Sequence, residues 1–208
     1  MNVLKNKKQL VVKTLVITGG IGSGKTVVAR YLSSKGIPVY DCDSRTKAIY
    51  FENPLVVMDI EEALGESVCD SEGTLDREKL GSIIFSDKSK LALVEEIVHP
   101  MVYDDFVRWR DDREGETPYV IMESAIFLEK PLFHDLADAV VFLEAPDELR
   151  LNRAMHRDNA SQATVRQRMK AQHFDMDIVD AVIVNDADIP SLFAIVDAAI
   201  EELKEKLQ

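Results

Sequence analysis

Eight residues carry the strongest chemical signal in this chain: Gly19, Gly20, Ile21, Gly22, Ser23, Gly24, Lys25 and Thr26. They fit G-x-x-x-x-G-K-[ST], the spacing of a loop that cradles phosphates. Glycine-rich backbone can turn tightly and approach an anion without Cβ clashes. Its N–H groups then meet the positive end of the helix that follows. Lys25 adds a mobile cation for β- and γ-phosphates, and the Thr26 hydroxyl suits Mg2+. Residues Gly20 to Val27 are therefore the candidate nucleotide contacts, with Thr26 as the metal ligand. A dinucleotide fingerprint fails on spacing: Gly20 and Gly22 would require glycine at position 25, where Lys25 stands.

Further candidates lie along the chain. Asp41 and Asp43 flank Cys42, just after a short apolar run. A carboxylate there can accept a proton from an attacking hydroxyl or hold the water shell of Mg2+, or it can cap a helix. From Arg150 to Lys170, six basic residues stand against one acid, Asp158, in a chain of net charge −12. Arg150, Arg153 and Arg157 are spaced to share one helix face. Two helices joined near Asn159 and lined with arginines resemble a lid that brings cations to a transition state. Glu123 reads equally as a Mg2+-associated carboxylate or a plain strand-end acid. His99 reads as a structural helix-start residue or a substrate contact, and Asn185 as a turn residue or an adenine contact.

These residues must be positioned by alternating strands and helices. Near-continuous apolar runs at Thr14–Thr18, Ile37–Tyr40, Tyr119–Met122, Ala139–Leu143 and Val182–Val184 suit strands covered on both faces. Helical patterns between them predict an α/β fold, a parallel sheet flanked by helices. Ligands of such sheets bind beyond the carboxyl ends of the strands. The stretch from about 54 to 115 is too long for an ordinary crossover and reads as a helical insertion within one domain spanning 1–208. The arginine-rich lid occupies about 146–172, a closing helix runs from about Pro190 to Leu203, and residues 1–12 form a short extension.

Composition narrows the classes. The acidic balance, 37 Asp and Glu against 25 Lys and Arg, argues against a nucleic-acid partner. Cys42 and Cys69 make neither a disulfide framework nor a metal-ligand spacing. No apolar run approaches the ~20 residues of a membrane span, so a cytoplasmic protein without a membrane partner is expected. The guanine-reading motif N-K-x-D of a GTPase is absent from the sequence.

Taken in order, the motifs resemble those of the dephospho-CoA kinase family. The opening T-G-G-I-G-S-G-K-[ST] stands at Thr18–Thr26, and V-[ILVY]-D-[AC]-D stands at Val39–Asp43. G-x-L-[DN]-R stands at Gly73–Arg77, and the acidic-Ile-x-His-Pro segment at Glu96–Pro100. R-x-x-x-R-D matches Arg153, Arg157 and Asp158; R-x-x-x-Q matches Arg168 and Gln172; the final A-D-x-[VI]-[IV]-x-N pattern is met in part, ending at Asn185. The resemblance implies phosphoryl transfer from ATP, with Mg2+, to the ribose 3′-hydroxyl of dephospho-CoA by a monomer or weak homo-oligomer. It makes Asp43 the acid-base residue, with Asp41 second or substrate-side. Lys25, Arg153 and Arg157 stabilise the transferring group, and Lys47 and His99 lie towards dephospho-CoA. Another P-loop nucleotide or small-metabolite kinase is the alternative. The sequence departs from the pattern at Lys47 for arginine, Ala125 for proline and Val27 for a hydroxyl residue.

Overall fold

The computed structural model describes residues 11–208. Of the expected extension over 1–12, residues 1–10 lie outside the described residues, and Val12 is buried. The chain divides into two compact units. One comprises residues 11–41 and 109–208, the other Cys42–Arg108.

The first unit is built on a five-stranded parallel sheet: β1 (Lys13–Gly19), β2 (Val39–Asp41), β3 (Tyr119–Glu123), β4 (Ala139–Glu144) and β5 (Ala181–Val184). Their spatial order is β2-β3-β1-β4-β5. Every pair is parallel, so the carboxyl ends of all five strands line one edge. Registers bring Ile17 opposite Glu123, Asp41 opposite Glu123, and Gly19 opposite Leu143. The expected α/β architecture is therefore present. β2 starts later than the apolar run that predicted it. Pro38 cannot donate to a ladder, although its carbonyl still accepts from the Ile121 N–H at 2.9 Å.

One face of the sheet carries a hydrophobic core. Leu15, Ile17, Val141, Leu143 and Ile183 pack with Val28 and Leu32 of α1 (Lys25–Ser34) and Leu192 and Val196 of α8 (Ile189–Glu202). Each such aliphatic side chain contributes about 1.5–3 kcal/mol on full burial. That is what holds the loop between β1 and α1 against a rigid base. A smaller core joins α6 (Asp147–Asp158) to α7 (Gln162–Ala171) through Leu151, Ala154 and Val165, and Ile21 of the glycine loop packs against it. α6 ends at Asn159, whose φ of 47° is left-handed, and α7 starts where the Ser161 hydroxyl accepts the Thr164 N–H at 3.2 Å.

The second unit is helical: α2 (Cys42–Glu52), α3 (Pro54–Leu64), α4 (Arg77–Ser86) and most of α5 (Lys88–Asp111). Asn53 and Asp76 cap α3 and α4 by accepting backbone N–H groups. Arg45 ties α2 to α5 through bonds to both Asp105 oxygens, each 3.0 Å. His99-Pro100, expected to begin a helix, instead lies inside unbroken α5. An internal proline costs about 3 kcal/mol. The stripe Val94, Val98, Val102 and Phe106 runs straight past it at four-residue spacing, fully buried, and offsets that cost.

Candidate active site

The turn from β1 into α1 is shaped by what presses on it. Gly24 has φ +106°, and a Cβ there would lie 2.3 Å from Asn185 Nδ2. Asn185 is buried, and that Nδ2 donates to Ser23 O at 2.7 Å. Asn185, expected as an adenine contact or a turn residue, is thus bonded to the loop backbone. Gly22 has φ +75° and meets the Arg150 carbonyl, 2.2 Å from its would-be Cβ. Neither site admits another L-residue without moving its neighbour.

Lys25 is buried, and its Nζ donates to Gly19 O at 2.8 Å and Gly20 O at 3.1 Å. Burial drives its pKa down to about 8; Glu123 opposes that shift, while Arg157 and Arg150 add to it. A cation so desolvated gains strongly from an incoming anion.

Thr26 Oγ1 donates to Glu123 Oε1 at 3.3 Å. This is long for an O–H···O bond, so the hydroxyl is held loosely and can turn to another ligand. Glu123 closes β3, and Asp41 is its register partner on β2. Hydroxyl and carboxylate oxygens are the hard donors Mg2+ takes. Nucleotide Mg2+ needs only one or two protein ligands beside phosphate oxygens. The absence of any group of three or more metal-ligating side chains among the described residues is compatible with that arrangement.

The α6–α7 hairpin brings its cations to the same loop. Arg150 Nε donates to Ile21 O at 3.1 Å, and Arg150 is largely buried. Gln172, just beyond α7, accepts the Ile21 N–H at 2.8 Å. Arg153 Nη1 is buried with no hydrogen-bond partner among the described residues. An unpaired buried donor costs about 1–3 kcal/mol, and more when the group is charged, which an anion would recover. Arg157 is more exposed and is bonded to Asp158 at 2.7 and 3.0 Å, which holds that carboxyl below its ordinary pKa. Arg168 adds a third contact to Asp158 at 3.2 Å.

The remaining candidates lie in the helical unit. Asp43 is the second residue of α2 rather than part of the strand end, and its exposed carboxylate pairs with Lys47 one helical turn on. The Lys47 carbonyl accepts from Arg77 at 3.2 Å. His99 is half-buried on α5. Sequence reasoning gave Arg150 no role beyond its helix face and Gln172 none beyond a motif match. Arg150 could have been singled out as the first member of the i, i+3, i+7 arginine set; nothing local marks Gln172.

A parallel sheet whose central strand runs through a glycine loop into a helix, with a buried lysine at the loop's foot, defines a P-loop nucleotide-binding protein. A family model described as dephospho-CoA kinase matches residues 13–191. A dephospho-CoA kinase of Porphyromonas gingivalis is 42% identical over 168 residues, covering 81% of each chain. The crystal structure of TT1252 from Thermus thermophilus is 30% identical, with TM-score 0.78 over 92% of this chain and 98% of that one. A dephospho-CoA kinase from Campylobacter jejuni, at 21% identity, shares the fold with TM-score 0.67 over 94% of this chain and 98% of its own. The chain belongs to the dephospho-CoA kinase family. Among the described residues, no helix is long and apolar enough to cross a membrane.

Proposed function

We propose that this protein transfers the γ-phosphoryl group of ATP to the ribose 3′-hydroxyl of dephospho-CoA, giving coenzyme A and ADP in the last step of coenzyme A synthesis. The new bond joins the 3′-oxygen to the γ-phosphorus, and the bond to the β–γ bridging oxygen breaks. The observation that carries the reading is the buried Lys25 ammonium, held on loop carbonyls at the foot of a phosphate-binding turn, in a chain matched to this family from 13 to 191.

The loop amides of Gly22 to Thr26 and the Lys25 ammonium bind the ATP phosphates. Mg2+, when bound, supplies charge neutralisation at the phosphates, and Thr26 with Glu123 are the groups that would hold it. Arg153 and Arg157 bring positive charge to the transferring group; α6 and α7 act as the lid that excludes water. Asp43 takes the proton of the 3′-hydroxyl. Lys47 and His99, in the helical unit, bind dephospho-CoA, and Asp41 orders the water around Mg2+ or caps α2. We place the reaction in the cytoplasm, with all assigned groups drawn from one chain.

The test is ADP formation with dephospho-CoA, AMP, gluconate or no acceptor. Turnover with dephospho-CoA and little with the others is expected. Turnover confined to AMP would make this a nucleoside monophosphate kinase and overturn the assignment.

A further inference from the structure

The backbone of Ile21 is held at both its polar atoms, in the two peptide planes that flank its Cα, by the two roots of the α6–α7 hairpin. Its N–H donates to Gln172 Oε1 at 2.8 Å, where the chain leaves α7. Its carbonyl accepts from Arg150 Nε at 3.1 Å, in the first turns of α6. Arg150 Nη2 also reaches Gln172 Oε1 at 3.4 Å, so the two side chains close a ring through the Ile21 backbone. Asp147 steadies the far side of the guanidinium at 3.2 Å. The Ile21 side chain meanwhile packs against the Leu151, Ala154 and Val165 core of the hairpin.

The approach requires glycine at position 22, and any side chain at Gly20 would displace the Arg150 guanidinium. A Cβ on Gly20 would lie 2.1 Å from Arg150 Nη2, and one on Gly22 would lie 2.2 Å from the Arg150 carbonyl. Ile21 is the residue between them. A loop that must present converging N–H groups to phosphate has to hold each peptide plane at a fixed angle, and Ile21 immediately precedes the amides assigned to that task.

We propose that Arg150 and Gln172 form a clasp on the two peptides flanking Ile21 that sets the phosphate loop in its nucleotide-binding shape and fastens both ends of the hairpin to it. They are positioning residues: they act through the loop backbone. The role depends on geometry as well as charge. Arg150 serves two acceptors at once through Nε and Nη2, and a lysine ammonium at the end of a flexible stem does not reproduce that fork.

The inference rests on reading the loop as the ATP phosphate site, and its test does not depend on the acceptor. Arg150→Met, Arg150→Lys, Gln172→Met and the Arg150→Met/Gln172→Met pair are compared with the parent protein by direct ATP binding and by amide hydrogen exchange across residues 19–24. Circular dichroism checks that each is folded. Each single variant is expected to bind ATP about tenfold more weakly, the loss of one charged or bridging hydrogen bond. The Ile21 amide should exchange at least tenfold faster in Gln172→Met. Because the two side chains grip one residue's backbone and bond to each other, the pair should lose little more than the worse single variant. Arg150→Lys should fall with Arg150→Met. Wild-type ATP affinity in Arg150→Lys, multiplied losses in the pair, or unchanged Ile21 exchange in Gln172→Met would each overturn the clasp. Should the parent bind ATP with this mutant pattern yet phosphorylate no dephospho-CoA, the functional reading fails and the clasp stands. Should it turn over dephospho-CoA while all variants bind ATP normally, the reverse holds.

Discussion

Thr26 donates to Glu123 across 3.3 Å, joining the first turn of α1 to the last residue of β3. The bond is longer than a hydroxyl–carboxylate contact prefers. Both groups are oxygen donors that a cation can draw together. Glu123 also raises the affinity of Lys25 for its proton, so one carboxylate acts on both sides of the loop's charge balance.

Glu123→Gln should therefore weaken use of Mg2+ before it affects ATP affinity. Groups that hold or orient metal ligands typically contribute 10- to 100-fold in metal affinity. The expected result is a half-saturating Mg2+ concentration raised by about that factor, with folding intact. Titrating activity against Mg2+ at saturating ATP measures it. An unchanged Mg2+ requirement would remove Glu123 from the metal site.

Gly24→Ala separates backbone strain from close approach. The left-handed conformation alone costs a non-glycine residue about 1–2 kcal/mol. At Gly24 the added Cβ also meets Asn185 Nδ2 at 2.3 Å, whereas at Gly36, φ +84°, it meets nothing within 4 Å. Gly36→Ala should lower the melting temperature by about 2–8 °C for a chain of this size. Gly24→Ala should lower it further and weaken ATP binding at least tenfold, because Asn185 must release Ser23. Equal melting shifts and normal ATP binding would show that Asn185 gives way without cost.

Asp43→Asn tests the assigned base. Losing a general base costs about 10²–10⁴-fold in turnover. The exposed pairing with Lys47 contributes little to stability, so the melting temperature should hold. The expected signature is a collapsed kcat with an ATP affinity close to the parent's, read by steady-state kinetics and direct binding. Unchanged turnover would pass the role to Asp41 or to another group.

Much of this was legible in the sequence because the signals were local. The apolar runs at Thr14–Thr18 and Ala139–Leu143 gave β1 and β4 to within a residue of their ends, since strands buried on both faces read as continuous hydrophobic stretches. The glycine loop announced itself by spacing. Other features were illegible because distance in sequence hides them. Gln172 lies 151 residues from Ile21, and Asn185 lies 162 from Ser23. Each is a common polar residue whose role appears only when the strand ends come together. Of α2 only a start was legible, in the reading of Asp41 and Asp43 as possible caps, because Cys42 to Lys47 offers no apolar period; the break expected at Pro100 is overridden by a buried stripe that spans it.

Lys25 makes the reaction sensitive to alkaline pH. Its pKa in the nucleotide-free fold is about 8, against an ordinary 10.5, chiefly through burial. Below pH 8 the ammonium is charged and meets the phosphates; above it, kcat/KM for ATP should fall, approaching tenfold per pH unit. The nucleotide's negative charge raises the pKa in the complex, so the fall in kcat should appear at higher pH than the fall in kcat/KM. Stability runs the other way. Between pH 8 and 10.5 the unfolded chain binds more protons at this lysine than the folded one, so its contribution to stability rises with pH through that window and is least below pH 8. At 1.36 kcal/mol per unit, the burden at neutral pH is on the order of 3 kcal/mol. Lys25→Met should then resist denaturant better than the parent at pH 7 while losing ATP turnover. Arg157→Met, which removes a neighbouring cation, should move the alkaline limb of kcat/KM upward in pH. A profile flat to pH 9.5 in the parent, together with a destabilised Lys25→Met, would mean that the ammonium is not desolvated as its position between Gly19 O and Gly20 O indicates.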